Sequence, residues 1–341
     1  GGGGGGGGGG ASPIVLWHGY GQGGASWWRN LPTLAMQHRA GSVLAPDWLG
    51  CGGSSRPAWT PGDDGEAAED FFADSFEQWR AQQGLERMHV VGHSMGAIIA
   101  VRYAEKYPER VSSLVLASPA GVPHPPSESF QDRINNQPLS LRREIFRTVG
   151  NAWDSGYTPQ FASRLFGGWL GRSMIQGYVN RRFHESVTNK PEFAEYMYQH
   201  WQGQASGELA LQAMLSPGAF AKRPLIDRIP ELNPKIPITF IYGDRDWMDI
   251  RPAQRIKRRL AQDPVSADRV VRCFELEEAG HQLMIDQPDS FNDILLKAIH
   301  EDEVAMGLRP HKFELSSPSS LEAIMRMEAA GMKNAHQTSE A

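Results

Sequence analysis

The chain has 341 residues, 40% of them hydrophobic and 21% charged, with a formal net charge of −5 at pH 7. This size and composition suit a globular protein with a large core, as one domain with an insertion or two small domains, and exclude a fibre or a wholly disordered chain. The acidic balance argues against a nucleic-acid partner, which needs a basic face. No apolar run approaches the roughly 20 residues needed to cross a bilayer, and the opening residues lack the regions of a signal peptide. Membrane contact is therefore expected to be peripheral. The two cysteines, Cys51 and Cys273, are too few for a disulfide framework and fit a reducing, intracellular compartment.

Residues 1–10 are all glycine and have no side chains to bury, so disorder is expected over a lead at 1–12. The first apolar run, Pro13 to Trp17, leads into His18-Gly19-Tyr20-Gly21-Gln22-Gly23-Gly24. Glycines let such a loop fold close to a neighbouring strand, and the loop lacks the Gly-Lys-Ser/Thr ending of a P-loop. The second run, Ser42 to Pro46, precedes Asp47 and the turn Gly50-Cys51-Gly52-Gly53. That turn continues into Ser54-Ser55-Arg56-Pro57, which is no helix start, so it does not open a dinucleotide site.

The third run carries the strongest signal. Met88 to Val91 reads as a strand, Ala97 to Tyr107 has helical spacing stopped by Pro108, and Gly92-His93-Ser94-Met95-Gly96 lies between them. A serine at a sharp strand-to-helix turn crowds the residues two before and two after it, and Gly92 and Gly96 leave the necessary room. The turn exposes the Ser94 hydroxyl as a nucleophile and aims the Met95 amide at the same space, where it can hold an oxyanion. The Tyr20 amide is its expected partner, and His18 and Gly19 are candidate substrate contacts.

After a fourth run, Ser113 to Ala117, residues 122–235 show helical segments and no convincing strand, as expected of a helical cap inserted over a sheet. From Arg133 to Arg182 eight arginines face two acids, interleaved with seven aromatic residues. Arginine suits phosphate recognition and aromatic rings suit a half-wet interface, so Arg142 and Arg143 are candidate substrate contacts. A solvated helix face over an ordinary core accounts for the same pattern.

A serine hydroxyl needs a base, usually a histidine oriented by a carboxylate. The fifth run, Ile238 to Tyr242, ends in Gly243-Asp244-Arg245-Asp246-Trp247-Met248-Asp249, and the sixth, Val270 to Leu276, ends in Glu277-Glu278-Ala279-Gly280-His281. Asp246 is the expected orienting acid and His281 the base, with Asp249 and Asp244 as alternative acids that could instead cap the next helix. No His or Cys spacing supports a metal site, and no cofactor is expected. From Glu301 the chain is polar apart from Leu321 to Met332, where Ser319 or Ser320 could cap a short helix. Six short apolar runs alternating with helical patterns define an α/β fold with a mostly parallel sheet covered on both faces. Its expected parts are a core at 13–121 and 236–300, a cap at 122–235, and a tail at 301–341.

With these residues placed, the chain resembles an α/β-hydrolase-domain subfamily over most of residues 13 to 300. That subfamily contains lysophospholipid acyltransferases, N-acyl phospholipases, mitochondrial cardiolipin deacylases and the lipid-droplet lipase coactivator. The resemblance is carried by Val15 to Gly21, Asp47 to Pro57, Phe76-Glu77-Gln78-Trp79-Arg80, Gly92 to Gly96, Tyr242 to Asp249, and Gly280 to Pro288. It implies an α/β-hydrolase fold acting on phospholipid or lysophospholipid at a peripheral membrane or lipid-droplet surface; the organelle stays open among lipid droplet, endoplasmic reticulum and mitochondrion. His281 and Asp286, four residues apart, match a pattern shared with glycerolipid acyltransferases. The resemblance therefore also implies an acyl-CoA-dependent lysophosphatidate acyltransferase with acyl-CoA as co-substrate. Asp286 as a plain helix cap is the competing reading, and a non-enzymatic lipid-surface adaptor is the third. The coactivator members have lost the serine, and Ser94 is kept here. Two strands usually precede the first one, so the expectation is either a sheet truncated at its amino-terminal edge or a sequence that is a fragment or a faulty gene model.

Overall fold

A computed structural model of the chain describes residues 12–38, 41–138, 140–183, 187 and 189–308. The polyglycine lead and the expected helix near Leu321 lie outside the described residues. Eight strands occur among those described: β1 (Ile14–Trp17), β2 (Val43–Leu44), β3 (Met88–His93), β4 (Val111–Ala117), β5 (Leu215–Ser216), β6 (Phe220–Ala221), β7 (Ile238–Gly243) and β8 (Val271–Leu276). Six form one sheet in the order β2-β1-β3-β4-β7-β8, and every neighbouring pair is parallel.

The near-continuous apolar runs follow from burial on both faces, which a parallel sheet requires because its crossovers cover it twice. Val15 and Trp17 pack into one core with the helices Gly65–Gln82, Met95–Lys106 and Arg251–Gln262. Ile14 and Leu16, with the opposite parity, pack into the other core beneath Pro288–Ala305. Trp17 stacks on Phe76 at 4.0 Å between ring centroids, so the first strand is held to the first long helix by its largest side chain.

Between β4 and β7 the described residues form five helices, Phe130–Asn135, Leu141–Asp154, Pro159–Phe166, Gly168–Arg182 and Lys190–Trp201, and then two shorter ones, Ala210–Met214 and Leu225–Arg228. Ser129, Ser140, Thr158 and Asn189 each accept an amide hydrogen bond at a helix start, satisfying donors that the first turn leaves open. The expectation of a strand-free insertion needs correction, because β5 and β6 form a short antiparallel hairpin. Pro217 and Gly218 are its local signal, with Gly218 and Ala219 both at positive φ in the turn.

Two expected boundaries also move. Ser12 is buried and its hydroxyl pairs with that of Ser112 at 2.7 Å, so order begins before Pro13. The last helix runs to Ala305, and Asp302 and Glu303 are buried against Arg272 and His89. These acids read as a polar tail in sequence because their partners lie on distant strands.

The return from the insertion is clamped by charge. Arg228 Nη2 meets Glu69 Oε2 and its Nε meets Glu105 Oε1, both at 2.7 Å, and Arg223 reaches Glu69 at 2.9 Å. The Glu69 side chain is 2% exposed, and burial pushes its carboxyl above the ordinary range despite both arginines. Removing one partner of a buried pair strands the other. Arg228→Met is expected to lower unfolding stability by about 3 kcal/mol in urea titrations, and a change under about 0.5 kcal/mol, typical of a surface site, would show that the clamp is marginal.

Candidate functional site

Ser94 sits at the end of β3 with φ 54° and ψ −120°, a region that L-residues avoid at a cost of order 1–3 kcal/mol. The surroundings enforce it. A Cβ on Gly92 would lie 2.6 Å from the Gly96 carbonyl oxygen, so the glycine is required by close approach. The Ser94 amide donates to the Ala117 carbonyl at 3.0 Å, and its carbonyl accepts from Ala97 and Ala120. Strain at Ser94 is thus balanced by bonds to β4 and to the helix that follows.

Asp246 and His281 follow β7 and β8 and reach Ser94 across the carboxyl ends of the strands. The Ser94 hydroxyl lies 3.0 Å from His281 Nε2, and His281 Nδ1 lies 3.1 Å from Asp246 Oδ1. The Asp246 carboxylate is fully buried. Burial pushes its pKa up, but the His281 bond, the Ser118 hydroxyl and the Met248 amide outweigh that and hold it below the ordinary carboxylate range. The rings of Trp247, half-exposed, and of His93 lie 5.2 Å and 5.0 Å from the His281 ring.

The structure separates the competing acids. Asp249 accepts the Arg251 amide at 2.9 Å and pairs with its guanidinium, capping the helix that begins there. Asp244 accepts the Ala279 amide at 3.1 Å. Asp286 accepts the Gly280 amide at 2.9 Å, while both ring nitrogens of His281 face Asp246 and Ser94. Asp286 therefore acts on the backbone beside His281 and not on its ring.

The loop after β1 lies against the nucleophile. A Cβ on Gly19 would stand 3.2 Å from that of Ser94 and 2.8 Å from His93 Nδ1, so the close approach needs glycine. Met95 opens the helix after Ser94, and the first amides of a helix have no partner within it. The expectation that His18 contacts substrate is corrected. It is fully buried and stacked on Trp48, its Nδ1 donates to the Gly19 carbonyl at 2.8 Å, and its Nε2 accepts the Trp48 amide at 3.1 Å.

Burial lowers the His18 pKa to about 3. For His93, burial and then the neighbouring His281 lower the pKa to about 3, and its Nε2 donates to the His281 carbonyl at 2.8 Å. The basic insertion is less free than its count implied. Arg164 pairs with buried Glu208, Arg172 with Glu195 and Arg147 with Glu144. Arg143 is half-buried on Leu141–Asp154, and the side chain of Arg142 lies outside the described residues. Sequence reasoning missed Ser118, at the end of β4 with φ 43°, because no motif surrounds it. Both cysteines are free thiols, and no group of three or more potential metal ligands converges among the described residues.

The family model described as alpha/beta hydrolase fold matches residues 12–288. A 1-acylglycerol-3-phosphate O-acyltransferase of Arabidopsis thaliana is 35% identical, with 88% of this chain and 71% of that protein aligned. A (lyso)-N-acylphosphatidylethanolamine lipase of Bos taurus is 33% identical, over 83% of this chain and 78% of the lipase. The bromoperoxidase of Bacillus anthracis shares the fold at TM-score 0.57 and 22% identity, with 85% of this chain and 92% of that chain covered. The chain belongs to the α/β-hydrolase family, in the lipid subfamily that holds these acyltransferase and lipase relatives. No helix among the described residues is long and apolar enough to cross a membrane.

The two buried histidines carry a pH signature. Their folded pKa values, about 3, lie below the ordinary value near 6.5. Below pH of about 6.5 the unfolded chain takes up protons that the native chain refuses, so stability falls as pH drops toward about 3. Each histidine contributes a slope of at most about 1.4 kcal/mol per pH unit. Urea midpoints are expected to fall between pH 7 and pH 5, less steeply in His93→Gln, and an unchanged slope in that variant would count against a neutral His93.

Proposed function

We propose that the chain is a serine-dependent lipid acyl-ester hydrolase acting on phospholipid or lysophospholipid. The observation that carries this reading is the unbroken chain Ser94 Oγ, His281 Nε2, His281 Nδ1, Asp246 Oδ1, at 3.0 and 3.1 Å. Ser94 attacks the ester carbonyl while His281 takes its proton, and Asp246 stabilises the imidazolium that forms. The amides of Met95 and Tyr20 hold the tetrahedral oxyanion. His281 then protonates the departing alcohol, and water cleaves the acyl-enzyme by the same steps. No cofactor enters this sequence.

The lipid substrate is supported by the relatives, named as a lipase of N-acylphosphatidylethanolamine and as acyltransferases of 1-acylglycerol-3-phosphate. Acyl transfer is the second reading, favoured by those names and by the His281 to Asp286 spacing. The Asp286 contact with the Gly280 amide supports hydrolysis through Ser94 instead. Ser94→Ala is expected to cut fatty-acid release from phospholipid by about 10⁴-fold or more, and Asp246→Asn by about 10⁴-fold. Phosphatidate formed from acyl-CoA and lysophosphatidate by Ser94→Ala, and lost in Asp286→Ala, would establish acyl transfer in its place.

Peripheral contact with a lipid surface belongs to the same reading. Leu141, Leu165 and Trp169 are 80%, 67% and 82% exposed on three successive helices of the insertion. Such side chains gain by entering an interface, and neighbouring arginines favour anionic headgroups. Leu165→Glu combined with Trp169→Glu should weaken co-sedimentation with phosphatidylglycerol-containing vesicles by about tenfold or more. Binding equal to that of the parent chain would place the contact elsewhere.

A further inference from the structure

Side chains of the insertion help to hold the loop that carries the Tyr20 amide. The Tyr20 phenol donates to Gln160 Oε1 at 2.6 Å, on the helix Pro159–Phe166. Trp201 Nε1, at the end of Lys190–Trp201, donates to the Gly21 carbonyl at 2.7 Å. Gln22 Nε2 donates to Gln282 Oε1 at 2.7 Å, beside His281. Gln160 is 4% exposed, and the Trp201 ring lies near Tyr178 against the apolar core that the insertion shares with one face of the sheet. The two insertion anchors are also tied to each other, because Arg164 Nη1 donates to the Trp201 carbonyl at 3.1 Å.

The two expected oxyanion donors differ in what fixes them. The Met95 amide is set by the elbow and its helix. The Tyr20 amide shares a peptide plane with the Gly19 carbonyl, which accepts from His18 Nδ1 and the Gln22 amide, but it lies between two glycines with permissive torsions, so the placement of that plane over Ser94 also depends on what grips the Tyr20 side chain and the Gly21 carbonyl. We propose that Gln160 and Trp201 are positioning residues for the Tyr20 amide, so that the oxyanion site takes its working geometry while the helical insertion is seated on the sheet. This inference rests on the hydrolase reading above. Its consequence is that a displacement of the insertion lowers turnover even for an ester too small to touch it.

The test uses p-nitrophenyl butyrate, whose short acyl chain needs no lipid-binding surface. Tyr20→Phe keeps the ring, Trp201→Phe keeps an aromatic side chain, and each removes one anchoring donor. Removing an oxyanion donor outright costs about 10²–10³ in kcat, so loosening one is expected to cost about tenfold, with KM within about twofold of the parent, as expected for an interaction made in the transition state. Affinity for a trifluoromethyl ketone analogue, whose hemiketal oxygen occupies the oxyanion site, should fall by the same factor, with the unfolding temperature unchanged. Parent-like kcat in both variants, a loss confined to KM, or a loss that tracks a lowered unfolding temperature would each overturn the proposal. Ser94→Ala is run alongside. Turnover retained there, or absent from the parent chain, overturns the hydrolase reading itself, whereas an inactive Ser94→Ala beside normal Tyr20→Phe and Trp201→Phe overturns this inference alone.

Discussion

Ser94 holds a backbone conformation that an L-residue adopts at a cost, and the rest of the site is arranged around it. Its φ of 54° turns the chain from β3 into a buried helix within one residue, which sets the half-buried Ser94 at the strand end with the next amide in the first turn of that helix. The turn survives because Gly92 and Gly96 remove the side chains that would collide and because β4 accepts the Ser94 amide. The parallel sheet then fixes where help can come from. Segments leaving the carboxyl ends of the strands reach the hydroxyl, and Asp246 and His281 leave β7 and β8 there, two and three places along the sheet from β3.

Electrostatics sharpen this arrangement. Histidine rings crowd the centre, with His93 beside His281 and His18 beneath the loop that carries Tyr20. If these charged as readily as free histidine, they would oppose the positive charge that develops on His281 during proton transfer. Burial holds both far below the ordinary range, so they stay neutral scaffolding. His18 orders the loop after β1, and His93 grips the His281 carbonyl. Among the described residues Asp246 is the carboxylate that bonds the His281 ring, and its depressed pKa keeps it ionised there.

The parts of this structure that were legible in sequence are those whose causes are local. Six apolar runs identified six strands because a doubly covered parallel sheet needs continuous apolar segments. Ser94, Asp246 and His281 were legible because each follows such a run across a short turn. What escaped depends on distant partners. The β5–β6 hairpin is two residues deep and shows little beyond its Pro-Gly turn. Glu303 reads as polar tail until His89, 214 positions earlier, is placed beside it. The arginines of the insertion looked like unpaired charge because Glu195 and Glu208 fall outside the window in which they were counted. Gln160 and Trp201 carry no motif, and their meaning comes from contacts made 140 and 180 positions away.

The spacing of His281 and Asp286 gains a physical account that does not require acyl transfer. After Gly280 and His281 the chain makes one helical turn, Leu283–Asp286, which brings the Asp286 carboxylate back onto the Gly280 amide. The His281 carbonyl is held from the other side by His93. The histidine backbone is thus fixed at both ends, so its ring approaches Ser94 and Asp246 without needing to be ordered by substrate. Four intervening residues are what one such turn requires. The same spacing in proteins with different chemistry could therefore reflect a shared way of holding a histidine, with the ring's own partners deciding what it does.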